Sequence, residues 1–471
     1  MAMEQIKRVK GVFNESPDHF STKMTTGAAV IGNGDVLVAI GGASDKLAFR
    51  LSKLDFWQAR EGAGLPGARA IGTLTLNTPA LNGSSYLLEQ SIHDATTRGR
   101  FEKNGSELSI AAWTPRNENA LVVELQATGN KGITIDPAFE IQDGNESTVE
   151  NGSDGGIAWY ERRFEQVNLL WKTGVTVAMR ALNGKAIRLE PGQKHTLVLA
   201  VVTNHDTPDY RKRAVTMAQA LDEMRLAETK ARHLEWWSTL WMKCANVSIG
   251  DAYLEDRYYG SHYIIASCCG NRAFPPGLFA WITDDNPAWG GDYHANYNFQ
   301  APWWGVLTSN LVELTEPYDK AIMDYLPRMQ AYAQRFLNVR GAYCNVGFGP
   351  KGLHVDCSNT PYDDGLNFLG QKSNASFLAV NMIMRHYLTH DLDYAEKYAY
   401  PYIVEVMNFW EDYLVFEDGR YISPNDCVNE CLFYEILPED SIEFQRAKDR
   451  NPILSLALIR MVSRAAIDIS K

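Results

Sequence analysis

The spacing of apolar residues changes character once along this chain, and that change limits the folds open to it. From about Gly27 to Thr203 the apolar residues come in short β-rich runs, such as Val36 to Ile40, Leu121 to Leu125, Val175 to Met179 and Leu197 to Val202. Asn33-Gly34, Asn82-Gly83, Asn104-Gly105, Asn151-Gly152 and Asn183-Gly184 punctuate them, and each pair tolerates the positive φ of a tight turn. Many short strands with such turns predict a large β-sandwich. After Asp251 the period is helical: Ile322, Leu326, Met329, Ala333 and Phe336 share one face, as do Ile403, Met407, Trp410 and Leu414, and again Leu454, Leu458, Met461 and Ala465. Asn451 reads as the cap of the last helix, with Pro452 in its first turn. A charge-rich, Ala-rich stretch from Pro208 to Arg232 has helical composition. The prediction is a multidomain β + α chain: an N-terminal β-sandwich over 1–206, a helical linker over 207–245 and a helical domain over 246–471.

At 471 residues the chain is too long for one ordinary core, which agrees with that division. A net charge of -12 repels phosphates and argues against a nucleic-acid partner. The first thirteen residues carry Lys7, Arg8 and Lys10 with no apolar run behind them, so neither a signal peptide nor a membrane partner is expected. That reading makes the chain cytoplasmic as written, or exported if a leader has been removed. Cys244, Cys268, Cys269, Cys344, Cys357, Cys427 and Cys431 are odd in number and lack the paired spacing of a zinc site, so they read as reduced and buried, and no metal or cofactor is expected. The 12 Trp and 22 Tyr, dense from Trp236 onward, supply flat rings of the kind that sugar pockets use.

Long connections at about 271–297, 341–370 and 415–450 interrupt the helices, and loops of that length inside a domain are usually functional. The first contains Gly290 to Gln300, which alternates from Asp292 on. In an extended backbone Asp292, His294, Asn296, Asn298 and Gln300 would share a polar side, with Tyr293, Ala295, Tyr297 and Phe299 anchoring the other. Trp281, Trp289, Trp303 and Trp304 flank it, which favours a pocket over a solvated edge strand. Ser423 to Glu430 forms the second constellation. There Asp426 and Glu430 are four apart, so one helical turn would bring both carboxyls to one face, as general acid chemistry on a glycoside needs; a solvated acidic loop is the alternative. His354, Asp356, Asp363 and Asp364 in the middle loop would line the same mouth or coat it.

These motifs resemble glycoside hydrolase family 95, the α-L-fucosidase family. The likeness rests on Ile31-Gly32-Asn33-Gly34 with Leu51 to Trp57, on Pro275 to Leu278 through Trp281, on Gly291-Asp292-Tyr293-His294 with Asn296 and Asn298, and on the Gln371 to Leu414 helix pair with Tyr400-Pro401. The resemblance implies a supersandwich followed by an (α/α)6 six-hairpin toroid, and an exo-acting inverting hydrolase acting on an oligosaccharide or glycoside. It assigns the holding of the attacking water to Asn296 and Asn298 and a sugar contact to His294. It puts the general acid in the 423–430 loop, where the family's Ser-Pro-Glu is absent and Glu430 is preferred to Asp426. Asp292, Gln300, Trp281, Trp289, Trp304 and His354 complete the expected substrate site. Roughly half of the paired helices of a closed toroid can be counted, so the resemblance also implies that these residues are a piece of a longer reading frame, with the base beyond Lys471 and the isolated piece inactive. A disaccharide phosphorylase on the same plan and a non-catalytic sugar-binding protein are the competing readings.

Overall fold

The computed structural model describes residues 2–60, 66–181, 186–355, 371–428 and 450–471. The chain divides into two compact units, Met1–Asn271 with Phe279–Gly291, and Arg272–Leu278 with Asp292–Lys471. The short helix α1 (Ala2–Arg8), both linker helices and the helix that follows them belong to the first unit.

Two antiparallel sheets build the first unit. The nine-stranded sheet runs Lys10–Phe13, Leu87–Ser91, Thr96–Lys103, Ser106–Trp113, Ala120–Ala127, Lys194–Thr203, Thr173–Ala181, Ile157–Phe164 and Thr148–Asp154. The six-stranded sheet runs Ile187–Leu189, Ile133–Ile141, Gly72–Asn77, Lys46–Lys53, Val36–Ala43 and Ala29–Gly32. Inward residues of both sheets, among them Val38, Phe49, Leu74, Phe101, Leu125 and Leu199, form one core, so this is a sandwich. Helices α2 (Tyr210–Ala220) and α3 (Glu223–Lys243) follow, with Asp222 capping α3 by accepting from the Arg225 amide. Ala214, Val215 and Met217 of α2 pack on Val198, Ala200 and Val202, which explains why Leu197 to Val202 is apolar on both faces. Helix α4 (Ala252–Cys268) joins the same unit, with the Tyr263 hydroxyl donating to the Val30 carbonyl at 2.7 Å.

The turn pairs behave unevenly. Asn104 and Gly105 both have positive φ, 53° and 83°, and close the hairpin in which Lys103 pairs Ser106. Asn151-Gly152 does not turn. It lies inside the strand Thr148–Asp154, where a Cβ on Gly152 would sit 2.5 Å from the Trp159 ring, and the chain turns instead at Gly155-Gly156. Asn183-Gly184 lies outside the described residues.

The described part of the second unit is mainly helical: α5 (Ala301–Thr308), α6 (Glu316–Tyr332), α7 (Asn374–Thr389), α8 (Tyr400–Tyr413) and α9 (Ile453–Ile469). The apolar stripes expected for α6, α8 and α9 supply their buried faces: Ile322, Met329, Ile403, Trp410, Leu458 and Ala465 are all buried. Phe336, Met407, Leu454 and Met461 are half-buried. The last helix starts one residue later than its sequence suggests. Pro452 occupies the cap, while Asn451 has φ 55° and spends its side chain accepting the Ser423 amide at 2.8 Å. Cys244, Cys268, Cys269, Cys344 and Cys427 are buried; Cys357 and Cys431 lie outside the described residues.

Candidate functional site

The alternating segment is a strand for only two residues. Tyr293–His294 pairs antiparallel with Gly347–Phe348, and the Ala295 amide continues the pairing by donating to the Val346 carbonyl at 2.7 Å. The chain then curls: the Phe299 amide reaches the His294 carbonyl at 2.9 Å and the Ala301 amide reaches Tyr297 at 3.0 Å, leading into α5. The expected common polar side therefore breaks after His294. Asp292, His294 and Gln300 are buried, Asn296 is half-buried and Asn298 is exposed. On the other side Tyr293, Ala295 and Phe299 are buried anchors as expected, with Phe299 stacked between Tyr293 and Tyr318 and met edge-on by Phe348, but Tyr297 is 54% exposed.

Asp292 is enclosed with His294, and both its carboxylate oxygens lie 3.1 Å from Nδ1 of that ring. A carboxylate only accepts, so Nδ1 carries a proton; in a neutral ring that leaves Nε2 as the acceptor. Asp292 thus orders His294. Asn296 donates to the Gln371 side chain at 3.4 Å, and the next residue, Lys372, gives its amide to Asp426 at 2.9 Å. Two sequence motifs that lie far apart in the chain meet through this short relay.

Asp426 is completely buried, and it accepts from the Lys372 amide, from the Cys427 amide at 2.8 Å and from the Ser423 hydroxyl at 3.0 Å. Donors on both oxygens suit an anchored carboxylate. The loop is further held by Tyr413, whose hydroxyl donates to the Pro424 carbonyl at 2.7 Å. Asn425 takes φ 47° and the chain through Val428 is not helical, so Asp426 is not on the helical turn expected of it. Glu430, Asp356, Asp363 and Asp364 lie outside the described residues.

The aromatic residues have divided roles. Trp304 is half-buried, donates from its indole to Asn381 at 2.7 Å and meets Tyr297 edge-on at 5.7 Å between ring centres. Trp281 belongs to the sandwich unit, where its indole donates to the Ile31 carbonyl at 2.9 Å, a packing role. Trp289, also of that unit, is 44% exposed and holds φ 52°, which is rare for a bulky residue. His354 lies beside α6, with Nδ1 3.0 Å from the Tyr332 hydroxyl. Gln371, Lys372, Ser373, Asn374 and Asn345 were not anticipated as site residues. Gln371 to Ser373 lead into helix α7, which begins at Asn374.

The sandwich unit contains a trio of carboxylates, Asp35, Asp55 and Asp206, close enough together to hold a cation. The Lys53 ammonium lies among them, 2.8 Å from Asp35, 2.5 Å from Asp55 and 3.2 Å from Asp206. Burial and the neighbouring carboxylates push Asp55 up to about 7 in spite of Lys53. This is an internal ion cluster of the sandwich.

An antiparallel sandwich and a helical unit make a two-part protein, and the helical unit holds the His294–Asp292 pair and the Asn296, Gln371 and Asp426 bonds. The chain belongs to glycosyl hydrolase family 95, whose catalytic domain matches residues 204–469, more than half of its length. It is 22% identical to a probable alpha-fucosidase A of Aspergillus niger over 90% of this chain, and spans 63% of that relative's length. A probable alpha-fucosidase A of Aspergillus oryzae is 46% identical over a short stretch, 15% of this chain and 10% of the relative. Among solved structures, a putative kojibiose phosphorylase from human microbiome superposes with a TM-score of 0.64 at 12% identity, covering 97% of this chain and 70% of that one, a likeness of fold.

Proposed function

We propose that this protein is an exo-acting, inverting glycoside hydrolase of fucosidase-like or related specificity, its helical unit forming part of an (α/α)6 toroid. The observation that carries the reading is the relay from Asn296 through Gln371 and Lys372 to Asp426, because it joins the water-holding strand to the loop that leads to Glu430. In this mechanism Glu430 protonates the departing glycosidic oxygen while Asn296 and Asn298 hold the water that attacks the anomeric carbon from the opposite face, and a second carboxylate acting as general base takes the water's proton. His294, ordered by Asp292, accepts a sugar hydroxyl through Nε2. Asp426 anchors the acid's loop, and the Tyr297–Trp304 pair offers a ring face to the sugar. The fucosidase names of the Aspergillus relatives support the sugar class. The test is Glu430→Gln in the full-length enzyme: turnover of a natural glycoside is abolished while sugar binding persists. Retained turnover removes Glu430 from the mechanism.

A further inference from the structure

Helix α7 begins inside the protein with its polar groups unmet. Ser373 stands at the cap position, makes no side-chain capping bond and is 1% exposed, yet its Oγ has no partner. Asn374, the first helical residue, is 1% exposed and its Oδ1 is equally unpartnered. The same holds for Oδ1 of Asn345 at 6% and Oε1 of Gln300 at 0%. Hydrogen bonds link the segments that carry them. Asn374 Nδ2 donates to the carbonyl of Cys344, next to Asn345, at 3.5 Å, the Val346 carbonyl accepts the Ala295 amide, and Gln300 Nε2 donates to the Ala295 carbonyl. Buried oxygens without partners cost folding free energy, and a helix N-terminus adds amide donors that its own turns leave unused.

We propose that the first turn of α7, with Asn345 and Gln300, is a hydroxyl-binding subsite for a neutral sugar ring; this rests on the hydrolase reading and gives that site a named wall. A sugar hydroxyl donates and accepts at once, so adjacent hydroxyls satisfy the helix amides and the four unmet oxygens together. A phosphate has acceptors for the amides but almost no protons for the oxygens. The Asp426 carboxylate, which accepts the Lys372 amide beside this turn, opposes an anion there.

The test is binding by calorimetry of L-fucose, D-galactose, L-rhamnose and inorganic phosphate to the full-length protein, with Ser373→Ala and Asn345→Ala as variants. At least one sugar binds the wild type, and each variant weakens it about tenfold, the worth of one hydrogen bond. The Tm of ligand-free Ser373→Ala is equal to or above that of the wild type, because an unpaired buried hydroxyl has been removed; a structural role would lower it. Phosphate does not bind. Wild-type sugar affinity in both variants, a Tm lowered in Ser373→Ala, or phosphate binding that Ser373→Ala abolishes overturns the subsite. If both variants keep sugar affinity while turnover continues, the subsite fails and the hydrolase reading stands. Sugar binding through Ser373 with no turnover by the wild type has the opposite meaning.

Discussion

The sandwich unit and the helical unit both bury polar side chains, but they treat them differently. In the sandwich unit the charged and amide groups are largely spent on the fold: Lys53 serves three carboxylates, and Arg162 grips Asp285 from two nitrogens at 2.7 Å. Asn33 uses both ends of its amide, donating to the Pro115 and Glu118 carbonyls and accepting from the Asp35 and Val36 amides. Hydroxyls left unpaired there, such as those of Thr97 and Thr173, are scattered on separate strands. In the helical unit, Ser373 and Asn374 leave two oxygens unmet at the start of one helix, and Asn345 and Gln300 leave one each on segments hydrogen-bonded to it. Paired groups hold a fold. Unpaired ones gathered on neighbouring segments mark a place where stability has been given up for something else.

The largest effect that sharpens this contrast is Lys53→Met. Removing the ammonium leaves Asp55 and two neighbouring carboxylates without their cation, and the loss of a buried partner costs about 3–5 kcal/mol. Chemical denaturation of the sandwich unit measures it, and a loss below about 1 kcal/mol would mean that the cluster is not holding the fold. The penalty depends on pH. Asp55 titrates near 7 in the fold against an ordinary 3.8, so between those values the folded state binds more protons than the unfolded one and stability falls as pH rises. Without Lys53 Asp55 is pushed higher still and the fall continues to higher pH, so the variant's deficit grows through neutral pH and is smallest near the ordinary carboxylate range.

A smaller effect is expected from Asp292→Asn in the helical unit. The amide no longer compels Nδ1 of His294 to be the donor, and kcat/KM falls about 10–100-fold, the usual cost of losing a residue that orients a functional ring. Kinetics on a glycoside with the full-length protein measure this. Unchanged kcat/KM would show that the His294 ring is held by its packing alone.

The strands were legible because their apolar runs coincide with double-sided burial, as Leu197 to Val202 does between the sandwich core and α2. Asn151-Gly152 misled because its glycine serves a close approach by Trp159 within a strand. The curl after His294 could not be read from the alternation. No Gly or Pro marks it, and among the bonds that hold it is one from Asn381 to the Gln300 carbonyl at 3.0 Å, from a helix remote in sequence. Asp426 was visible as a carboxylate, but its donors include the Lys372 amide, so its anchoring role emerged only with the fold. Ser373 and Asn374 are of the residue types that cap helices, and the missing cap bond is a three-dimensional fact.

The most direct test of the central claim is a proton NMR time course of glycoside cleavage by the full-length enzyme in phosphate buffer. The account predicts that the first product is the free sugar with inverted anomeric configuration, and that its appearance is independent of phosphate. A sugar 1-phosphate, a retained configuration or the absence of any cleavage would contradict it.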